Sequence, residues 1–216
     1  MLSNSSDQRL SELDVLIKRA KELGTFETVK TFCHHEYYVI ALPELTVVFV
    51  PDDVEAINER DYRIEQDDIF PKFNNLTADL IVIGGKGLRN ASCMFEKCNA
   101  SSLDLSEFDT SNVPDMSYMF AQCSVPQVDF SKLNTSQVTD MLFMFDACKI
   151  HHINLNSFDT TRVTDMSFMF NECEADTIDL SSFVTSESTD LDSMFDDCKA
   201  KVTATDQNIL NQLRAE

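Results

Sequence analysis

The stretch VTDMSFMFNEC at residues 163–173 nearly repeats the stretch VTDMLFMFDAC at residues 138–148. The element that they share, Met-Phe followed by two variable residues and then Cys, occurs five times, and each occurrence lies 25 residues from the next. The five elements begin at Met94, Met119, Met144, Met169 and Met194. A fixed period of this length indicates a repeat protein, in which each unit buries its apolar side against its neighbours.

Each copy changes its period along its length, and this predicts its local structure. A short apolar segment that predicts a strand occurs at 78–80, 103–105, 128–130, 153–155 and 178–180. Further on, Met116, Met119, Phe120 and Cys123 have the spacing i, i+3, i+4 and i+7, which predicts one face of a helical turn. Asp115 precedes them as an N-cap residue, and the same column holds Asn90, Asp140, Asp165 and Asp190. We therefore predict five coils of a solenoid over about residues 78–203, with short parallel strands and short helical turns.

The two ends of the chain lack the repeat. Residues 1–75 predict a small α+β unit with a helix stopped by Gly24, strands within 25–33, 36–42 and 45–50, and a second helix near 54–60. This unit either caps the solenoid or forms a separate binding domain. Residues 204–216 predict a capping helix that begins at Thr205 or Asp206 and covers the last coil with Ile209, Leu210 and Leu213. The predicted fold class is α+β, with domains at 1–75, 76–203 and 204–216.

The repeat resembles a known family along the full copy. LDLSEFDTSNVPDMSYMFAQC (103–123) and INLNSFDTTRVTDMSFMFNEC (153–173) are similar to the copies of BspA-like leucine-rich-repeat proteins, found in bacterial surface proteins and in mycoplasma lipoprotein-like repeats. The resemblance covers about residues 78–203. It implies a leucine-rich-repeat-like solenoid and non-enzymatic binding, often attributed to adhesion in the surface members.

The start of the chain and its hydropathy predict a location. MLSNSSDQRLSELD lacks the basic start and the apolar core of a secretory signal, and no run of eighteen apolar residues is present. We therefore expect a cytoplasmic protein that does not bind membranes.

Cysteines, histidines and glycines raise three kinds of chemistry that the sequence does not favour. Seven cysteines are an odd number and five of them recur at the repeat spacing, so we expect reduced thiols in a packing position. Cys33-His34-His35, and His151-His152 with Cys148, lack the second half of a zinc site. The Gly84–Gly87 loop lacks the spacing of a phosphate-binding loop, so we interpret its glycines as backbone accommodation, that is, as residues that let the backbone make the turn of the first coil. We predict no catalytic, cofactor or metal site and no enzyme activity.

Acidic residues are the most informative feature of the surface. The formal net charge of −20 argues against nucleic acid as a direct ligand and favours a basic protein partner. In the strands, outward-facing Asp79, Asp104, Asp129 and Asp179 either bind cations or a basic partner, or keep the sheet soluble. Between Arg162 and Lys199 there are ten acidic residues and no basic one, so the last two coils should carry a negative patch. The residues that we predict to bind a partner are Asp104, Asp129, Asp179, Glu172, Glu174, Asp176, Glu187, Asp192, Asp196 and Asp197.

Two functions of different classes follow, and the resemblance adds a third. The first is a non-enzymatic scaffold that binds a protein through the acidic solenoid surface. The second is an acidic DNA mimic that inhibits a nucleic-acid enzyme, for example a phage-encoded anti-restriction or anti-CRISPR protein. It follows from a rise of about 24 Å for five coils, which brings the charge per length near that of duplex DNA, about one per 1.7 Å. The third is a bacterial surface adhesin.

Overall fold

The computed structural model describes residues 79–215 continuously, with strand segments 26–30, 36–41 and 45–50 and the helical residues Val15, Lys18 and Glu22. The strands in chain order are β1 (Phe26–Lys30), β2 (Glu36–Ala41), β3 (Leu45–Val50), β4 (Asp79–Gly84), β5 (Ser102–Phe108), β6 (His152–Asn154), β7 (Thr177–Leu180) and β8 (Lys201–Ala204). A 3₁₀ segment spans Phe130–Lys132 and one α-helix spans Gln207–Ala215. The repeat region is a β-solenoid of about five turns, which confirms the architecture that the 25-residue period predicts.

The three strands predicted before residue 51 are present, and they extend the sheet of the solenoid. β1, β2 and β3 form an antiparallel meander, and β3 then pairs in parallel with β4 from Leu45 opposite Asp79 to Val50 opposite Gly84. The edge of β4 is therefore covered, as an open solenoid end requires. The predicted helix near 54–60, the domain boundary at 75 and Cys33-His34-His35 lie outside the described residues. Of the first predicted helix, Val15, Lys18 and Glu22 are described and are helical.

The first repeat strand ends at a pair of glycines in left-handed backbone, Gly84 and Gly85 (φ 90° and 98°). A Cβ atom on Gly85 would lie 2.8 Å from the ring of Phe108 and 3.0 Å from the carbonyl oxygen of Asp109. Only glycine fits this close approach. The reading of this loop as backbone accommodation is confirmed.

The predicted strand of the third copy, at 128–130, is wrong. Val128 makes a single bridge to Leu103, and a 3₁₀ turn begins at Phe130. Pro126 gives the reason. At the equivalent positions two and three coils further on, the amides of Asp176 and Lys201 donate to the preceding coil at 2.8 and 3.0 Å, and proline has no amide hydrogen to donate. The strands consequently divide into one sheet ordered β1-β2-β3-β4-β5 and a second sheet ordered β6-β7-β8.

The helical turns predicted from the Met, Phe and Cys spacing are also wrong. In the second coil the amides of Met119, Ala121 and Cys123 each donate to the carbonyl three residues earlier, which makes three consecutive β-turns. Tyr118 and Gln122 stand in left-handed backbone in these turns, at φ 56° and 55°. The same pattern recurs in all five coils. We call these segments the turn ribbon; it comprises residues 90–97, 115–122, 140–147, 165–172 and 190–197.

The amides that the turns leave over connect one coil to the next. In the second coil every other amide donates to a carbonyl 24 residues further on, and the four bonds are Met116 to Asp140, Tyr118 to Leu142, Phe120 to Met144 and Gln122 to Asp146. Across the four junctions between coils these bonds measure 2.7–3.1 Å. The turn ribbon is thus a stacked sheet of turns. In each coil except the last, alternate amides donate hydrogen bonds to carbonyls of the next coil.

Apolar side chains form continuous columns between the strands and the turn ribbon. The rings of Phe95, Phe120, Phe145, Phe170 and Phe195 stack with centroids 5.3–5.6 Å apart and planes within 16°. The six described cysteines are free thiols, and burial raises the pKa of Cys93 to about 12. A hydrogen bond with Cys148 raises the pKa of Cys173 to about 12 as well. The thiols of Cys93 and Cys173 therefore stay protonated at neutral pH, as a packing role requires.

The helix Gln207–Ala215 covers the last coil, and its predicted start is correct. The Asp206 carboxylate accepts the amides of Asn208 and Ile209 at 2.9 and 3.2 Å, so Asp206 is the N-cap. Ile209 is fully buried and Leu213 packs partly buried against the core. Strand β8, which precedes this helix, was not predicted.

Three buried threonines, Thr110, Thr135 and Thr160, clamp successive coils on the side opposite the Cys column. The Thr135 hydroxyl donates to the carbonyl of Asp159 at 3.1 Å and accepts the amide of the same residue at 2.8 Å. Thr110 and Thr160 make the same pair of bonds to Asn134 and Val184. One side chain thereby satisfies two backbone groups of the next coil.

Replacing Thr135 with valine should lower the free energy of unfolding by about 2 kcal/mol, because it leaves a buried amide and a buried carbonyl without partners. Urea denaturation followed by circular dichroism measures the loss. Thr161→Val is the control, since Thr161 is exposed and its hydroxyl bonds only the Asp159 side chain. Equal stability of the two variants would contradict the clamp.

Candidate functional site

The ten acidic residues predicted to bind a partner do not form one patch. They lie on different sides of the coil, in groups that have different local partners. Asp104, Asp129 and Asp179 are on the strand side, Glu174 and Asp176 are in the segment between turn ribbon and strand, Glu187 is in the loop before the last ribbon segment, and the ribbon itself holds Glu172, Asp192, Asp196 and Asp197.

The strand-side aspartates have a structural role. Asp104, Asp129 and Asp179 each accept the backbone amide two residues further on, at 2.9–3.1 Å, a local bond that aspartate side chains commonly make. Hydrogen bonds from the Ser131 and Ser181 hydroxyls lower the pKa of Asp129 and Asp179. The carboxylate charge is therefore favoured by these local donors. Local bonding explains this column without a ligand.

Glu174 and Asp176 already have partners one coil earlier. The Lys149 ammonium lies 3.3 Å from the Glu174 carboxylate, and the His151 Nδ1 atom lies 3.2 Å from the Asp176 carboxylate. Exposed pairs of this kind contribute little to stability. The Lys149 ammonium reduces the negative charge that Glu174 offers to a partner, and the His151 contact occupies one side of the Asp176 carboxylate. His152 hydrogen-bonds Thr177 instead, so the two imidazoles do not face a common point.

The aspartate column at the start of the ribbon segments caps turns and not helices. Asp115, Asp140, Asp165 and Asp190 are joined in sequence by parallel β-bridges. Each carboxylate accepts the amide two residues on, at 2.9–3.0 Å. Asn90 does the same for Ser92 at 2.7 Å, and its amide nitrogen donates to Asp115 at 3.0 Å. The predicted N-cap role is thus corrected to a turn cap, because no helix follows.

Like charges in this column lie one coil apart, and their repulsion appears at its centre. Burial raises the pKa of Asp140 from the ordinary aspartate value to about 6, with further increases from Asp115 and Asp165. The amide of Leu142 acts in the opposite direction. Near neutral pH a fraction of Asp140 therefore carries a proton.

An aromatic ridge on the turn ribbon was missed by the sequence reasoning. We give this name to Tyr118, Phe143 and Phe168, whose partly exposed rings stack with centroids 4.9 and 4.7 Å apart and planes 16° and 8° from parallel. All three stand in left-handed backbone, at φ 53–56°. The signal was available, because each aromatic residue comes two positions after the Met column. The Met, Phe and Cys columns were considered, and this one was not.

The left-handed backbone makes aromatic residues an unexpected choice at these positions. L-residues other than glycine and asparagine avoid this region, at a cost of about 1–2 kcal/mol. Ring stacking returns about 0.5–1.5 kcal/mol for each pair. The two effects are of similar size, so stacking alone gives little net reason for rings here.

Charge is segregated on the turn ribbon around this ridge. Its ten acidic residues are Glu96, Asp115, Asp140, Asp146, Asp165, Glu172, Asp190, Asp192, Asp196 and Asp197. Its single basic residue, Lys97, lies 3.0 Å from the Glu96 carboxylate. The outward side of the turn ribbon, the ribbon face, therefore combines a central apolar stripe with a negative surround that is densest in the last coil.

A polar groove of about 380 Å³ lies beside the ribbon face, between the last coil and the C-terminal helix. Acidic Glu187, Asp190 and Asp192 line one side, and the amide side chains of Asn208, Asn211 and Gln212 line the other.

Within the part of the chain that the structure describes, no three His, Cys, Asp or Glu side chains are grouped to hold a metal ion. The described residues also include no helix with the length and apolar character to cross a membrane.

Replacing Asp140 with asparagine should change how stability depends on pH. A carboxyl whose pKa is raised on folding stabilises the fold below its unfolded value near 4, and loses that contribution as the pH rises through about 6. Asp140→Asn keeps the acceptor for Leu142 and removes the titration. We expect the variant to gain on the order of 1 kcal/mol over wild type between pH 4 and pH 7.5, with allowance for solvent screening.

Urea denaturation at pH values from 4 to 7.5 measures this gain. Asp179→Asn is the comparison, because the pKa of Asp179 is lowered on folding. Its stabilisation is present above the unfolded pKa near 4 and is lost as the pH falls below that value, so the difference between this variant and wild type should stay nearly constant over the measured range. A constant difference between wild type and Asp140→Asn over this range would contradict the assignment.

Comparisons with known proteins agree with a repeat family. A search of curated proteins and a search of solved structures each gave no significant match. A family model described as Mycoplasma protein of unknown function, DUF285, matches residues 89–208, which run from the first turn ribbon segment into the C-terminal helix. That match spans more than half of the chain and takes in all five turn ribbon segments, so this protein is a member of the DUF285 family of Mycoplasma proteins of unknown function.

Proposed function

We propose that this protein is a non-enzymatic scaffold that binds a basic protein segment on the ribbon face. The observation that carries the proposal is the segregation of charge: ten acidic residues and one already paired lysine stand on one stacked surface. Repeat solenoids offer extended, rigid surfaces of this kind and commonly use them for protein binding. Complementary charge brings partners together quickly and suppresses wrong ones.

The structure narrows the acidic surface that the proposal needs. Strand-side Asp104, Asp129 and Asp179 are used by local hydrogen bonds, Glu174 pairs with the Lys149 ammonium, and Asp176 contacts the His151 imidazole. Exposed Glu172, Asp192, Asp196 and Asp197 lie together at the last two coils of the ribbon. We assign the binding of a basic partner to these four carboxylates.

A pull-down from bacterial lysate with two charge variants tests this assignment. The ribbon variant carries Glu172→Gln, Asp192→Asn, Asp196→Asn and Asp197→Asn. The control variant removes four charges from the strand side through Asp79→Asn, Asp104→Asn, Asp129→Asn and Asp179→Asn. We expect wild type and control to retain the same basic protein and the ribbon variant to retain at least about tenfold less of it, as loss of two or more charged contacts predicts.

Salt provides the second reading of the same experiment. Raising salt from about 0.1 M to about 1 M shortens the Debye length from about 10 Å to about 3 Å, so capture should fall steeply. Circular dichroism must first show that both variants are folded. Equal capture by the ribbon variant and wild type would overturn the proposal.

The DNA-mimic alternative draws support from the same charge and from the regular rise of the coils. It requires that the captured protein bind nucleic acid and that duplex DNA compete with the ribbon face for it. A captured protein that DNA does not displace rejects this alternative while leaving the scaffold proposal intact. The surface-adhesin alternative draws support from the resemblance to BspA-like repeats alone, whereas the scaffold and DNA-mimic readings propose a cytoplasmic location.

A further inference from the structure

The aromatic ridge ends abruptly toward the last coil. Tyr118, Phe143 and Phe168 occupy the same turn position in the second, third and fourth coils, and the fifth coil has Ser193 there. Phe143 covers one face of the Phe168 ring, at a centroid distance of 4.7 Å. The other face is directed toward the coil that carries Ser193, whose small side chain supplies no ring to cover it.

Acidic residues lie on the coil that faces the open side of Phe168. The amide of Phe168 donates to the carbonyl of Asp192 at 2.9 Å, which fixes Asp192 directly on the next coil. Asp190 begins the same ribbon segment, and Asp197 ends it one coil beyond Glu172. An uncovered aromatic face with acidic groups at its margin suits a cation that is also flat.

Among protein side chains, arginine matches this combination best. Its guanidinium is planar, stacks on aromatic faces and donates to carboxylates through several N–H groups at once. A lysine ammonium is more strongly hydrated and has no flat surface to stack. The ridge beyond Phe168 then offers ring edges to the apolar parts of the same segment.

On the basis of the function proposed above, we propose that the aromatic ridge is the docking surface of an arginine-bearing extended segment of the partner protein. One guanidinium stacks on the open face of Phe168, above Ser193. Asp192, Asp197 and Glu172 pair with it or with neighbouring basic residues of the segment. The ridge sets the register of the segment, and the carboxylates draw it in.

We call the open face of Phe168 above Ser193 the seat. The variant Ser193→Phe tests it directly, because a fourth ring would cover this face. Ser193 has φ 52°, close to the 53–56° of the three positions that already hold rings, so the backbone accepts the substitution. Ser157→Phe is the matched control, since it adds the same exposed ring on the strand side. Thermal melts should show both variants folded, with Ser193→Phe at least as stable as wild type.

The probe is a fluorescein-labelled nine-residue peptide of alternating glycine and arginine, measured by fluorescence anisotropy at low salt. Versions with lysine or with uncharged citrulline replace the arginines. We expect wild type to bind the arginine peptide severalfold more tightly than the lysine peptide, and the citrulline peptide least. Ser193→Phe should weaken arginine binding by about 3- to 30-fold, the range expected for a cation–π contact.

A second variant guards against an unforeseen effect of the added ring. Phe168→Leu keeps an apolar side chain and removes the aromatic face, so it should abolish the preference for arginine over lysine. Ser157→Phe should bind all three peptides as wild type does. Loss of affinity in Ser193→Phe together with loss of preference in Phe168→Leu supports the seat.

The outcomes separate this inference from the function on which it rests. If Ser193→Phe and wild type bind the arginine peptide equally while the ribbon variant binds it weakly, the seat is wrong and the acidic scaffold stands. Equal affinity of wild type for arginine and lysine peptides also overturns the seat. If folded wild type binds neither peptide at low salt, both proposals fail.

Discussion

The remaining features of this solenoid all depend on the hydrogen bonds between successive turn ribbon segments. Alternate amides of one coil donate to carbonyls 24 residues further on, and the remaining amides close turns within the coil. This arrangement satisfies the backbone without a helix and fixes each coil one strand spacing from the next. A single inserted residue would shift both sets of bonds, which explains why the Met-Phe-x-x-Cys element recurs at 25 residues without exception.

Fixed stacking places equivalent side chains directly over one another, and this is favourable or unfavourable according to their chemistry. Phenylalanine gains from it, since the five buried rings lie nearly parallel at 5.3–5.6 Å. Threonine gains from it because one hydroxyl serves two backbone groups of the next coil. Aspartate is penalised by it. The column from Asp115 to Asp190 persists because each carboxylate caps its own turn, and its central member responds with a raised pKa.

The sequence could predict the stacking because period and column identity are written in it, and it could not predict the local conformation. The spacing i, i+3, i+4 and i+7 of Met116, Met119, Phe120 and Cys123 fits a helix face. Three consecutive β-turns, however, place the same residues in the interior. The helix and the β-turns differ in the carbonyl groups to which the backbone amides donate, and half of those carbonyls belong to the neighbouring coil. The interrupted strand at Val128 could have been foreseen from Pro126. The acidic group was over-counted because pairs such as Lys149 with Glu174 join residues one repeat apart, and the aromatic ridge was missed because the column two residues after Met116 was not compared between copies.

Rigidity gives the ribbon face its value as a recognition surface. Its rings and carboxylates are held by backbone bonds of 2.7–3.1 Å on rows one coil apart, so a partner would not have to order them on binding. An unstacked acidic tail of equal charge would attract the same basic segments but would lose that advantage through its own ordering entropy. The aromatic ridge adds direction, because it is bounded by Cys93 in the first coil and Ser193 in the last, while the charge is concentrated at the Ser193 end. A segment with its arginines at one end and apolar residues at the other therefore fits in one orientation only, and reversing it would place apolar side chains among carboxylates.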